Sequence, residues 1–164
     1  MSDWPDWLPD IASMEGTEEE IIVKLRALGL ADFRERRVMF RGLPVVWDEQ
    51  IRSGGTYEEG FWHLITREGS LPGVRRLDRR RAERLSWCAA ILRHADDPAI
   101  LVWDYPEGHC RKRTYLWFER GAYVIVLEIR ERRTDVVAFL VTTFHVDGPA
   151  HERALRRKYA RKLA

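Results

Sequence analysis

Apolar positions along this chain change period once, from helical spacing before residue 95 to strand spacing after residue 100. The first sixteen residues, rich in Asp, Trp and Pro, have neither period and read as an irregular acidic arm. Thr17 followed by Glu18, Glu19 and Glu20 is a capping box, with an N-cap hydroxyl and a Glu three residues on. Ile21, Ile22, Leu25 and Leu28 then recur at helical spacing, and Gly29 is the expected stop. Residues 37–41 read as a short strand broken by Gly42-Leu43-Pro44, and Gly54-Gly55 as a flexible turn. Thr56 to Ile65 predicts one or two helical turns bearing Phe61, Trp62 and Leu64, and Ser70 to Gly73 a loop. Asp78 opens a second helix whose stripe is Ala82, Leu85, Ala89 and Leu92, ended by Ala95-Asp96-Asp97-Pro98.

Beyond that point four segments are rich in β-branched and aromatic residues: 100–105, 114–118, 123–129 and 136–146. Their short links favour an antiparallel meander. Asp147-Gly148-Pro149 starts a final helix with Pro near its first position. Leu155, Tyr159 and Leu163 share one face of that helix, and Arg153, Arg156, Arg157, Lys158, Arg161 and Lys162 cover most of the rest. The expected fold is therefore α+β: N-terminal helices, a four-stranded antiparallel meander and a basic C-terminal helix. A length of 164 residues with no repeat or low-complexity linker fits a single domain.

Composition narrows the function classes. Two cysteines far apart, Cys88 and Cys110, lack CxxC partners, which argues against structural zinc and for a reduced, cytoplasmic setting. No apolar run approaches the roughly 20 residues of a membrane span, and the acidic start is unlike a secretory leader. No metal or cofactor is called for. Seven tryptophans are many for this length, and some of them are expected half exposed, where a flat ligand can stack. The net charge of +2 conceals a gradient, −6 over residues 1–60 and +8 over 61–164. That asymmetry fits internal charge pairing, solvated helix faces or a polyanion partner.

The chemistry-bearing residues are scattered His, Arg, Thr and Tyr, the set a metal-independent ribonuclease needs: a base for the 2′-hydroxyl, a cation for the phosphate and an acid for the leaving oxygen. His63, within Phe61-Trp62-His63-Leu64-Ile65-Thr66, reads as general acid or base, or else as a packed core residue. Arg81 and Arg84 share a helix face beside Arg79 and Arg80, as a phosphate clamp or as partners of the acidic N-terminal helix. Trp87 lies one turn beyond Arg84, as core or as a stacking surface. In the last strand, strict alternation puts Thr142 on the side of Leu140 and Phe144, and His145 on the other. Lys158 and Tyr159 are candidate backbone contacts on the last helix.

Taken in order, several short motifs carry a resemblance. They are Phe40-Arg41-Gly42-Leu43-Pro44, Phe61-Trp62-His63-Leu64-Ile65-Thr66, and Asp78 followed by Arg81-Ala82-Glu83-Arg84-Leu85 and Trp87. Tyr123-Val124-Ile125-Val126-Leu127, Leu140-Val141-Thr142-Thr143-Phe144 and Arg157-Lys158-Tyr159 complete the series. The chain resembles, over roughly residues 40–164, the phage P1-related proteins of the barnase–EndoU–colicin E5/D–RelE-like (BECR-fold) nucleases. That resemblance implies metal-independent RNA cleavage by a toxin or a phage or plasmid conflict effector, with an antitoxin or immunity protein as a possible partner. By position it implies His63, Arg81 and Thr142 as catalytic residues, supported by Arg84. Phe144 stands where the family pattern has a tyrosine. A non-catalytic nucleic-acid- or protein-binding module of the same fold is the alternative. Groups sharing one phosphate must converge within about 10 Å, so a shared cleft is the expectation for the three.

Overall fold

A computed structural model describes residues 3–164 as an α+β fold, with five α-helices among them and a mixed six-stranded sheet. Helix α1 spans Glu18–Leu30, and both halves of the Thr17–Glu20 capping box form. Its buried stripe is Ile21, Ile22 and Leu25. Gly29 does not stop it: the chain runs on into a π-helical turn, Ala31–Glu35, and Gly29 is instead the flat spot against which the Trp47 ring lies.

Strands β1 (Met39–Phe40) and β2 (Leu43–Val46) form a small hairpin at one sheet edge. Helix α2 is Glu59–Ile65. Strands β3 (Thr66–Glu68) and β4 (Arg75–Leu77) form a separate two-stranded ribbon around the 70–73 loop, which sequence periodicity did not reveal. The second helical stripe divides into α3 (Arg79–Ala82), capped by the Asp78 side chain, and α4 (Leu85–Arg93). Ala82, Leu85, Ala89 and Leu92 are all buried. Strands β5 (Ile100–Pro106), β6 (Lys112–Phe118), β7 (Tyr123–Glu131) and β8 (Val136–His145) follow, and α5 (Gly148–Ala160) ends the elements.

The sheet order is β1-β2-β8-β7-β6-β5. Strands β5 to β8 pair antiparallel with their neighbours, whereas β2 joins β8 in parallel. The expectation of four antiparallel strands is thus corrected to six in a mixed sheet. The short strand expected at 37–41 is β1, and the Gly42-Leu43-Pro44 break is instead the turn into β2, which pairs in parallel with β8.

Each sheet face carries its own core. Tyr123, Ile125, Leu127 and Leu140 pack with helices α1 to α4. Trp103, Tyr115, Trp117, Val124 and Val126 pack with Leu155 and Tyr159 of α5. Strand β8 changes faces in mid-course. Leu127 pairs with Leu140 but Val126 pairs with Thr142, so Val141 is an extra residue, a bulge. Paired residues point the same way, so beyond Val141 the alternation is inverted.

The acidic arm is a packed strap. The Trp4 ring contacts Trp87 and Phe118, Trp7 stacks on His94 and bonds Asp97 through Nε1, and Trp87 Nε1 donates to the Pro9 carbonyl. It lies over α4 rather than over the arginine-rich last helix.

Helix α2 owes its position to Gly60. A Cβ there would sit 2.5 Å from Trp47 Cβ and 2.6 Å from the Asp48 backbone nitrogen, and Gly60 N–H already donates to Asp48 O. Backbone has little room to yield. Gly60→Ala is expected to cost roughly 2–3 kcal/mol, read as a lower urea midpoint, and to disturb everything α2 carries.

Candidate functional site

The exposed side of α2 forms one wall of a cavity of about 300 Å³. Glu59 and Trp62 line it from α2, Arg52 and Tyr57 from the preceding loop, and Arg75 from β4. Backbone at Gly54, Gly55 and Gly73 closes the remaining sides. His63 is not itself part of the lining, but it follows Trp62 on α2; its side chain is 37% exposed, and Nδ1 lies 3.9 Å from the carboxylate of Glu59, which does line the cavity.

The tautomer of His63 follows from its own helix. Nδ1 lies 2.9 Å from the Glu59 carbonyl, which only accepts, so Nδ1 carries the proton and donates. Nε2 is left with its lone pair, and among the described residues no protein group hydrogen-bonds it. Partial burial, then the nearby Arg75 charge, pushes the imidazole pKa below the ordinary 6.5, while the Glu59 carbonyl and carboxylate pull the other way. A neutral ring with a bare Nε2 suits a general base.

Arg52 Nε pairs with the Glu59 carboxylate at 2.9 Å. Arg75 spends two donors on Thr66, Nε on its hydroxyl at 2.8 Å and Nη2 on its carbonyl at 2.8 Å. Nη1 of Arg75 remains for the cavity. Tyr57 and Trp62 stack with centroids 6.0 Å apart and planes 15° from parallel. The cavity therefore holds two cations and an aromatic wall, with the His63 ring next to one of its lining residues, Glu59.

Arg81 comes close to His63 in a different capacity from a phosphate clamp. Its Nη1 donates to the carbonyls of His63 at 3.0 Å and Thr66 at 2.7 Å, at the C-terminal end of α2. Burial depresses its pKa from the usual guanidinium range, offset in part by Asp78. The guanidinium thus satisfies carbonyls that the helix end leaves open and sits at the negative pole of its dipole. Arg81 braces the end of α2 and does not line the cavity.

Thr142 is not in this cleft. The Val141 bulge places it opposite Val126 on the α5 side, where its hydroxyl donates to the Thr143 carbonyl. Thr143 takes the helix-side position instead, opposite Ile125 and fully buried, with its hydroxyl near that of Tyr123. His145 pairs across from Tyr123 on that same side and bonds Asp147. The period-two assignment of Thr142 and His145 is therefore reversed. Arg81 meets the His63 backbone carbonyl rather than its imidazole, and Thr142 joins neither.

The remaining candidates are engaged elsewhere. Arg84 pairs with Glu83, donates to the Arg80 carbonyl and lies 5.1 Å over Trp87, which is itself core at 3% exposure. Lys158 donates to Glu107 at 2.7 Å and to the Tyr115 hydroxyl, and Tyr159 packs edge-on against Trp103. These contacts fasten α5 to the sheet, and none of the four residues lines the cavity. Arg52, Tyr57, Glu59 and Arg75 went unnoticed in the sequence. The one available signal was Gly54-Gly55 close to a tryptophan free to stack, and Trp62 is the tryptophan that meets it.

Among the described residues no helix is long and apolar enough to cross a membrane. No protein-family model, no curated protein and no solved structure matches the chain.

Proposed function

We propose that this chain is a metal-independent endoribonuclease of the BECR kind, a toxin-like effector acting on cytoplasmic RNA. The observation that carries the proposal is the His63 imidazole, its pKa pushed down by burial and by Arg75, with Nε2 unbonded among the described residues and the ring beside Glu59 of a cationic and aromatic pocket. In the proposed reaction Nε2 takes the 2′-hydroxyl proton as that oxygen attacks the adjacent phosphorus. The P–O5′ bond breaks, the 5′-oxygen takes a proton from water at the open mouth, and a 2′,3′-cyclic phosphate remains. Arg75 and Arg52 neutralise the charge that grows on the phosphoryl oxygens. Further support comes from the ordered motifs over residues 40–164, and from an architecture compatible with a β5–β8 meander packed by a basic terminal helix. An antitoxin or immunity protein belongs to the same proposal.

A binding module without catalysis is the second reading. It is favoured by the commitment of Arg52 to Glu59 and of two Arg75 donors to Thr66, which leaves few cation donors free. Purified protein incubated with labelled RNA in EDTA separates the two. Cyclic-phosphate-ended fragments are expected. Binding that weakens with salt, with the RNA left intact, would instead establish the module.

A further inference from the structure

The aromatic wall of the pocket has an order. The Arg26 guanidinium lies 5.9 Å over the Tyr57 ring, and Trp62 stacks on Tyr57 with the planes 15° apart. At a centroid distance of 6.0 Å the two rings already touch, so no third ring fits between them. Both rings are only half-buried, and both line the cavity. A flat ligand therefore extends the column by lying on Trp62. Gly54 and Gly73 line the same cavity and present backbone with nothing within 4 Å of where a Cβ would be. The space of about 300 Å³ lies at the small end of ligand sites, suited to a single planar group. Arg52 and Arg75 line it as well, and His63 lies 3.9 Å from another lining residue, Glu59.

From this we infer that the pocket seats one unpaired nucleobase on Trp62, and that the protein selects single-stranded over duplex nucleic acid. The physical reason is that a base inside a duplex has both faces already stacked and none to offer Trp62. The inference rests on the ribonuclease reading for the phosphate beside the base, but its test is independent of cleavage.

The full-length His63→Ala protein is titrated by fluorescence anisotropy with three RNA probes of one length: a mixed-sequence single strand, its duplex, and a strand of abasic ribose phosphates. The single strand is expected to bind at least about tenfold tighter than either other probe. Adding Trp62→Leu should remove about that tenfold for the single strand and leave the abasic strand unchanged, and Trp62→Phe should restore most of it. Thermal melts of each variant separate misfolding from lost stacking. Equal affinity for the three probes, no binding of any, or a Trp62→Leu variant that is folded and binds like its parent would overturn the inference. Trp62-dependent binding by a protein whose wild type leaves RNA intact would remove the ribonuclease reading and keep this one.

Discussion

Replacing His63 by alanine is expected to slow RNA cleavage by about 10²–10⁴-fold, the usual contribution of a positioned general base. The same variant should relieve any growth inhibition caused by expressing the wild type. Its stability should change by less than about 1 kcal/mol, because the ring is partly exposed and its Nδ1–H bonds only within its own helix. Loss of activity with retained fold is the informative pair of results. The pH profile adds a second test. Burial and Arg75 hold the imidazole below its ordinary value, so the base form persists to lower pH than for a free histidine. Activity should then fall only as pH drops through that lowered pKa, because protonated Nε2 has no lone pair with which to accept the 2′-hydroxyl proton. Removing the neighbouring charge by Arg75→Met should move the acid limb upward, towards 6.5. Cleavage by His63→Ala at the wild-type rate would sink the mechanism.

Arg81→Met should cost more stability than substitution of His63 or Thr142, about 3 kcal/mol. Two charge-assisted hydrogen bonds disappear, each worth about 1.5–3 kcal/mol, and the His63 and Thr66 carbonyls lose a donor in a largely dry setting. For a chain of this size that corresponds to a melting temperature lower by roughly 6–12 °C. Arg81→Lys should restore little, because one ammonium on a flexible stem does not reproduce the planar guanidinium's reach to two carbonyls. Activity should fall along with stability, as the α2 end that positions His63 loosens. A phosphate-binding arginine would behave differently, raising KM or lowering kcat in a protein that still melts normally. That outcome would return Arg81 to the substrate and displace the positioning role.

The sequence carried the local signals well. Thr17 and Glu20 are three residues apart, and both capping bonds form. The stripe from Ala82 to Leu92 is buried where its spacing placed it. Asp78 and Asp147 hold the N-cap positions of α3 and α5. Such features depend on neighbours within one or two turns, so the order of residues contains them. His63 was legible as a candidate for the same reason, since its local motif and its polar type both lie in one short segment.

What failed were statements requiring partners distant in the chain. Gly29 has the residue type of a helix stop, but the Trp47 ring packing on it favours continued helix there. Period-two alternation placed Thr142 towards the helices, and one extra residue at Val141 sent Thr143 there instead. A bulge of this kind is set by pairing with β7, so a single strand read alone has no way to express it. Arg81 had the chemistry of a phosphate ligand, yet the open carbonyls of α2 claimed it first. By itself, then, the sequence determined the main helices and the strands β5 to β8 in their order, and singled out one candidate histidine. Tertiary structure decided which cations and rings surround that histidine, because Arg52, Tyr57 and Arg75 meet α2 only when the loop and the β3–β4 ribbon fold back beside it.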